Sequence, residues 1–281
     1  ALQGQASDAN ATASVERVWR KLASGKAKMI LCKREPRLPS PTFVKAYLDA
    51  FRSKPAPSIG DDAPQGDQTL KRAFEALEAQ DYAHSLSLFQ EALQQGLSTQ
   101  ELEAAALNMH GTYMFVMGEP KRALEDLDRS IELSPENVQT WVKKASVHVE
   151  LGDKDAAMAD FDRAVALNAD DADIYYHRGQ VHFILGEFEA ALSAFSKSTA
   201  LDDTFIFSQV QHAVASYKLG NIARSTAEFC RILKKFSDSS ESYNYFGELM
   251  LDQQRHEDAV ANFDKSIALE QAKPQGKNVL P

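Results

Sequence analysis

The sequence predicts an all-α protein, a superhelical solenoid of antiparallel helix pairs, because three sets of residues recur at a constant spacing of 34 residues. Small residues form the first set, which is Gly111, Ala145, Gly179, Ala213 and Gly247. Small residues also form the second set, which is Ala123, Ala157, Ala191, Ser225 and Ala259. Mostly aromatic residues form the third set, which is Leu127, Phe161, Phe195, Phe229 and Phe263. Three sets in one register indicate a unit that buries its apolar face against neighbouring copies.

The small, small, aromatic pattern at this period resembles the tetratricopeptide repeat, a helix–turn–helix unit. Repeats are predicted to begin near Ala104, Val138, Ala172, Ile206 and Ser240. A degenerate repeat precedes them over about 66–98, with Ser85 in place of alanine and a spacing of 38 residues to the next. A residue in the left-handed conformation is expected to end the first helix of each pair. The candidates are Gly118, Gly152, Gly186, Gly220 and, in the last repeat, Gln254.

Composition and period divide the chain into four regions. Residues 1–53 are predicted to form a helical segment, since apolar residues follow helical spacing on a basic stretch. Residues 54–67 are rich in Pro, Gly, Asp and Ser and are predicted to be a flexible linker. Residues 68–270 hold six repeats, and residues 271–281 form a tail that leads into missing repeats. Because the chain starts without Met or a signal-peptide core, we expect it to be a piece of a longer protein.

Charge and composition narrow the classes of partner. The formal net charge of −9 disfavours a nucleic-acid-binding surface, which needs clustered basic residues. No run of about 18 apolar residues occurs, so no membrane contact by this chain is expected. Cys32 and Cys230 are far apart in sequence and form no CxxC pair, which favours a reducing compartment.

Motifs of catalysis and cofactor binding are absent, including GxSxG, HExxH, the P-loop and GxGxxG. The chain is therefore predicted to be no enzyme and to bind no cofactor or metal. The strongest metal candidates are His148 and His182, which share one repeat position 34 residues apart. Because that position ordinarily carries a buried side chain, we expect both histidines to serve packing rather than metal binding.

A ligand is expected in the concave groove that the first helices of the repeats line, chiefly through positions 2, 5, 9, 12 and 13 of the unit. These positions are unusually apolar in the later repeats, with carboxylates beside them in the last one. The predicted groove residues are Tyr176, Gln180, Phe183, Phe207, Val210, Val214, Tyr217, Glu248 and Asp252. Such a groove suits an amphipathic helix with one hydrophobic and one basic face. The alternative is that neighbouring helices, including residues 14–51, cover these side chains as core.

Three passages carry a more specific resemblance: LPSPTFVKAYLDAF at 38–51, YYHRGQVHFILGEFEAAL at 175–192, and YNYFGELMLDQQRHEDAVANFDKSIALE at 243–270. From about Val15 to Pro281, the chain resembles the seventy-kilodalton receptors of the translocase of the outer mitochondrial membrane, of the fungal type. The resemblance implies a receptor on the cytosolic face of the mitochondrial outer membrane that takes precursor proteins from chaperones. The membrane anchor, the amino-terminal chaperone clamp and the last repeats of that family are expected to be missing from this chain.

The resemblance also implies which partners the chain binds. The family's chaperone clamp uses Lys, Asn and Arg at concave positions, where this chain has Ala105, Asn108, Thr112, Val142 and Ser146. Chaperones are therefore expected to bind only through the missing clamp region, whereas precursor polypeptides occupy the groove. The alternatives to a precursor receptor are a chaperone adaptor and an assembly scaffold.

The last helix presents Val260, Ile267 and Leu269 toward a repeat that the sequence lacks, and terminal repeats ordinarily need a polar outer face. We expect the end of the chain either to be disordered beyond about Gln271 or to be buried against another copy of the chain in a homodimer.

Overall fold

The computed structural model describes residues 56–272, and every regular element in that range is an α-helix. The all-α prediction is confirmed. The helices of this range are α1 (Gln65–Glu78), α2 (Tyr82–Gln95), α3 (Gln100–Val116), α4 (Pro120–Leu133), α5 (Val138–Glu150), α6 (Lys154–Leu167), α7 (Ala172–Ile184), α8 (Phe188–Leu201), α9 (Ile206–Lys218), α10 (Ile222–Lys235), α11 (Ser240–Asp252) and α12 (His256–Ala272). The helical segment predicted over 1–53, residue Cys32 and tail residues 273–281 lie outside the described residues.

The odd-numbered helices are the first helices of the repeats and are called A helices below; the even-numbered helices are the B helices. Helices α5, α7, α9 and α11 begin at the four residues that the period predicts. Helix α3 instead begins at Gln100 and has 17 residues, whereas α5 has 13. The four extra residues precede Ala104, so the longer spacing after the degenerate repeat is taken up as one additional helical turn.

The turn between the two helices of each repeat contains one residue in the left-handed conformation. Glycine holds this position with φ between 78° and 81° in four repeats, at Gly118, Gly152, Gly186 and Gly220. Gln254 holds it in the last repeat with φ of 59°, as predicted, and Gln80 holds it in the first with φ of 61°. The amide of the next residue then donates a hydrogen bond to the carbonyl five residues earlier. Examples are the bonds from Asp153 to His148 and from Arg255 to Met250, each 2.9 Å long. These bonds satisfy carbonyl groups at the helix end.

The recurring small and aromatic residues meet where each A helix crosses its B helix. Phe161, Phe195 and Phe229 are completely buried. A Cβ atom built on Gly179 would lie 2.6 Å from Cε1 of Phe195, and one built on Gly247 would lie 2.7 Å from Cε1 of Phe263. The phenylalanine ring therefore occupies the space that a side chain at the glycine would need, which explains why the first set of residues is small.

Serine replaces alanine at the second small position in two repeats without leaving a buried polar group unpaired. Ser85 donates from Oγ to the carbonyl of Ala73 at 2.9 Å, and Ser225 donates to the carbonyl of Ala213 at 2.8 Å. Both serines are completely buried. The same hydrogen bond thus ties the B helix to the A helix in both places, so the substitution costs little.

Residues just before α1 form hydrogen bonds and an ion pair with side chains of that helix. Gln68 donates from Nε2 to the carbonyls of Gly60 and Asp61 at 2.7 and 2.8 Å, and Lys71 pairs with Asp61 at 2.7 Å. Ile59 packs against the apolar cluster beneath α1. Helix α1 itself begins at Gln65, inside the interval whose composition resembles a linker.

The described helices belong to two compact units, one ending at His177 and the other beginning at Arg178 within α7. The core of the first unit includes Leu70, Phe89 and Tyr113. The core of the second is built from Val210, Ala213, Phe229, Ile232, Leu249, Met250 and Ala259.

Helix α12 carries exposed aliphatic side chains at the end of the second unit. Val260 is 57% exposed and Ile267 is 54% exposed. Residues at the same repeat positions on inner B helices, among them Leu192 and Leu233, are half-buried. Each of these B helices packs against the A helix of the next repeat. The homodimer expected from this face stays a prediction.

We predict that Gly179→Ala destabilises the protein by about 1–2 kcal/mol, although alanine is the better helix former, because the buried Phe195 ring has no room to move. Gly247→Ala should cost less, since Phe263 is only half-buried and its ring can shift outward. Urea unfolding measures both, with Gly60→Ala as the control, because a Cβ there meets no atom within 4 Å. Equal stability of the Gly179→Ala and wild-type proteins would contradict the packing account.

Candidate functional site

Apolar side chains remain accessible along the A helices of the second unit. Val214 and Tyr217 on α9 and Tyr245 on α11 are half-buried and pack against the core of this unit. Leu251, near the end of α11, is 48% exposed. We call Val214, Tyr217, Tyr245 and Leu251 the α9–α11 strip. Apolar residues anchored in a core on one side and open to solvent on the other can contact a ligand without rearrangement.

Carboxylates border the α9–α11 strip. Helix α11 contains Glu241, Glu248 and Asp252 and has no Lys, Arg or His. Glu248 accepts a hydrogen bond from Nδ2 of Asn244 at 3.1 Å, and all three carboxylates are on exposed residues. The negative border favours a positively charged or amphipathic ligand over an acidic one.

The electrostatic effect of this border reaches the two tyrosines of the strip. Burial, followed by the charge of Asp252, raises the pKa of Tyr217 above its ordinary value. Burial, with a further contribution from Glu248, raises the pKa of Tyr245 to about 12, against the opposing effect of a hydrogen bond with Gln211. Burial and the neighbouring carboxylates thus both disfavour the charged form of each phenol.

The predicted groove residues fall into two groups by accessibility. Those that keep accessible surface are Gln180, Phe207, Val214, Tyr217, Glu248 and Asp252. Phe207 is half-buried, and its ring centroid lies 5.9 Å from that of Phe205. Tyr176 is in the first unit and all the others are in the second, so the predicted set is divided between the two units. The members that keep accessible surface, together with the α9–α11 strip, form the candidate site.

Three predicted groove residues are buried. Val210 is only 2% exposed and belongs to the core of the second unit, so it supports the site instead of lining it. Phe183 is 7% exposed, with its ring 5.2 Å from that of Phe188 on α8. Tyr176 is 4% exposed and lies beside the His177 ring at 5.1 Å. Helix periodicity places a residue on a face, but the neighbouring side chains decide how much of it solvent reaches.

Leu251 is at a concave position of its repeat but is not among the residues predicted to contact a ligand, although it is the most exposed member of the strip. It occupies position 12 of its repeat, as Phe183 and Tyr217 do in theirs. The signal is therefore available in the sequence. Only the structure shows that nothing among the described residues covers half of this side chain.

Histidines pair with carboxylates within individual repeats. His148 lies 2.7 Å from Asp160, and His182 lies 2.8 Å from Glu187, in each case through Nδ1. His110 pairs with Asp126 in the same way, and so does His212 with Glu228. These contacts join an A helix to its B helix or to the residue that precedes it. The histidines thus join parts of a repeat, and the expected role of His148 and His182 in packing stays a prediction.

The pKa values of two of these carboxylates are shifted in opposite directions. Burial raises the pKa of Asp160, outweighing the opposite effects of Lys144 and His148. Burial acts the same way on Glu228, but hydrogen bonds from His212 and Arg224 together prevail and lower its pKa. No group of three or more His, Cys, Asp or Glu side chains within residues 56–272 has the arrangement of a metal site.

A buried lysine distinguishes the first unit. Lys143 on α5 is 6% exposed, and its Nζ donates to Oδ1 of Asn108 at 2.6 Å. Asn108 in turn donates from Nδ2 to Oγ1 of Thr140 at 2.8 Å. Burial lowers the pKa of Lys143 to about 7, so a large fraction of this amine is uncharged near neutral pH.

Known proteins with the same repeat identify the fold. The helix pairs, the left-handed turn residue and the small-against-aromatic crossing give the tetratricopeptide-repeat fold, and a profile described as "Tetratricopeptide repeat" matches residues 108–172 and 142–204. A thermophilic tetratricopeptide-repeat protein of Thermus thermophilus has the same fold, with a TM-score of 0.52 at 18% identity over 60% of this chain and 93% of that one.

The more specific likeness is to mitochondrial import receptors, as the sequence predicts. The chain is 26% identical to the mitochondrial import receptor subunit TOM70 of Homo sapiens over 278 residues, covering 91% of this chain, and equally similar to that of Mus musculus. The crystal structure of yeast Tom70 matches with a TM-score of 0.71 at 24% identity, covering 83% of this chain and 50% of that one. The chain spans about half the length of these curated relatives, 46% in each case.

The curated relatives are named as receptor subunits, in agreement with the prediction that the chain is not an enzyme. Within residues 56–272, no helix is both long enough and apolar enough to cross a bilayer.

We predict that Lys143→Met reduces the gain in stability between pH 7 and pH 9. The folded-state pKa of about 7 lies below the ordinary value of 10.5, so in this window the unfolded chain binds a proton that the folded protein lacks. Stability contributed by this group therefore rises with pH across the window, at up to about 1.4 kcal/mol per pH unit.

Urea unfolding of wild type and variant at both pH values gives the change in free energy of unfolding with pH. The difference between the two changes isolates the contribution of Lys143, even though the variant leaves Asn108 without one donor. Lys121→Met, at an exposed lysine of the same unit, controls for the loss of one positive charge. Identical changes in wild type and Lys143→Met would contradict the assignment.

Proposed function

We propose that this chain is the precursor-binding part of a mitochondrial import receptor, which acts on the cytosolic face of the outer membrane. Its α9–α11 strip binds hydrophobic or amphipathic segments of precursor polypeptides. The observation that carries the proposal is an accessible apolar strip with an acidic border, on a tetratricopeptide-repeat chain that is similar to import receptors over most of its length.

The chemistry of the strip supports this class of ligand. Tyr217 offers apolar area that is already ordered by packing against the core, so its contact with a ligand costs little side-chain entropy, and Leu251 adds exposed apolar area. The carboxylates of α11 offer complementary charge to a basic face. An amphipathic helix that carries apolar residues on one side and Lys or Arg on the other meets both features at once.

The acidic border also bears on chaperones. A tetratricopeptide clamp for an acidic tail needs a positive groove, and α11 offers carboxylates only. We propose that chaperones interact with the longer receptor outside this chain. A precursor peptide and an acidic chaperone-tail peptide therefore distinguish the two proposed functions in a binding experiment.

We predict that Tyr217→Ala weakens the binding of an amphipathic, basic precursor peptide about five-fold or more, because the ring supplies ordered apolar area at the centre of the strip. Fluorescence anisotropy with a labelled peptide measures the change, and an acidic chaperone-tail peptide should not bind either protein. Tyr243→Ala is the matched control, since it removes another half-buried tyrosine of the same unit outside the strip.

Circular dichroism should show that both variants keep their helix content. If Tyr217→Ala binds the precursor peptide as tightly as wild type, the strip is not the binding site. If the acidic peptide binds and the basic one does not, the receptor proposal itself fails in favour of a chaperone adaptor.

A further inference from the structure

The carboxyl-terminal ends of two A helices carry two pairs of chemically distinct side chains at equivalent repeat positions. Helix α9 ends with Tyr217 and Lys218, and α11 ends with Leu251 and Asp252. Tyr217 and Leu251 are 34 residues apart, as are Lys218 and Asp252. Residues of both helices contribute to the core of the second unit, so side chains at equivalent positions of α9 and α11 can contact one bound polypeptide. We call these four residues the α9–α11 end.

The Tyr217 ring already accepts a cation from this chain. Nζ of Lys218 lies 6.0 Å from the centroid of the Tyr217 ring, at the outer limit of a cation–π contact. Lys218 is exposed, so its amine sits over the ring without being held by a pocket. The position shows that the ring face is open to a positively charged group and that a long, flexible side chain can leave it.

Asp252 supplies a carboxylate close to the same ring. It is exposed, and it makes no ion pair within 4.0 Å with any residue of the described range. Its charge is near enough to contribute to the raised pKa of the Tyr217 hydroxyl, after the larger effect of burial. A positively charged group over the ring would therefore have beside it a carboxylate that forms no ion pair with a cation of the described helices.

Leu251 completes the arrangement with an apolar surface. It is 48% exposed and follows Leu249 and Met250, which are core residues of the second unit. An aliphatic side chain of a ligand that rests on Leu251 would sit next to the cation position. Because residues three or four apart share one face of a helix, a helical ligand can offer a basic and an apolar residue side by side.

We infer that the α9–α11 end is a specificity subsite that receives one Lys or Arg of the bound polypeptide, with a neighbouring apolar residue on Leu251. The ligand's cation takes the place of Lys218 over the Tyr217 ring and pairs with Asp252. Arginine is favoured over lysine, since its planar guanidinium both stacks on a ring and binds a carboxylate through two N–H groups. This inference rests on the proposed function and names the feature of the precursor segment that the site selects.

The test compares two labelled peptides of leucine, alanine and glutamine that differ at one residue, arginine in the first and its uncharged isostere citrulline in the second. Binding to the whole chain is followed by fluorescence anisotropy at low salt, where contacts between exposed charges are least screened. Wild type should prefer the arginine peptide about three-fold or more. Asp252→Asn should abolish that preference, because it weakens binding of the arginine peptide more than binding of the citrulline peptide. Lys218→Gln should strengthen binding of the arginine peptide by removing the competing cation.

Asp264→Asn, which removes an exposed carboxylate on α12, is the matched control for the change in net charge. Tyr217→Phe keeps the ring and should retain the preference, whereas Tyr217→Leu should reduce it. The inference is overturned if Asp252→Asn and Asp264→Asn weaken the arginine peptide equally, or if wild type binds both peptides with the same affinity. In the second case the receptor proposal survives without the subsite. If neither peptide binds, the receptor proposal and the subsite fail together.

Discussion

The close approach of a small residue on an A helix to a large side chain on its B helix, which is an aromatic ring in most repeats, sets the spacing of the helix pairs. At Gly179 and Gly247 the ring of Phe195 or Phe263 lies where a Cβ would be. This contact fixes how near the two helices cross and allows the serine of two repeats to reach a carbonyl of the facing helix. The apolar cores and the accessible A-helix side chains take their positions from that crossing.

Charge is used differently in the two units. In the first unit a lysine is buried beside an asparagine, an arrangement that costs stability and is consistent with a role in fixing one packing arrangement. In the second unit the carboxylates of α11 stay on exposed residues beside apolar ones. Half-buried histidine–carboxylate pairs in both units join parts of a repeat, so charge that remains accessible beside an apolar strip is the feature that suggests a ligand.

Similarity to import receptors and the chemistry of the strip support the proposed function from separate directions. The similarity comes from the whole repeat array at 26% identity and specifies no contact residue. The strip depends on a few side chains that vary from repeat to repeat, such as Tyr217, Leu251 and Asp252 at positions that hold other residue types elsewhere. Repeat proteins separate these two kinds of information, since recurring residues maintain the stack and varying residues meet the ligand.

The amino-acid sequence alone specifies the helix pairs, the starts of α5, α7, α9 and α11, the left-handed turns and the reason the crossing residues are small. These are local or periodic properties, and a 34-residue period repeats each of them. The accessibility of the A-helix side chains, in contrast, emerges only from the tertiary structure. Val210, Phe183 and Tyr176 share the periodicity of groove residues, yet neighbouring side chains bury them, while Leu251 is left half-exposed. Burial depends on what packs against a residue from other parts of the chain, and no period in the sequence encodes that.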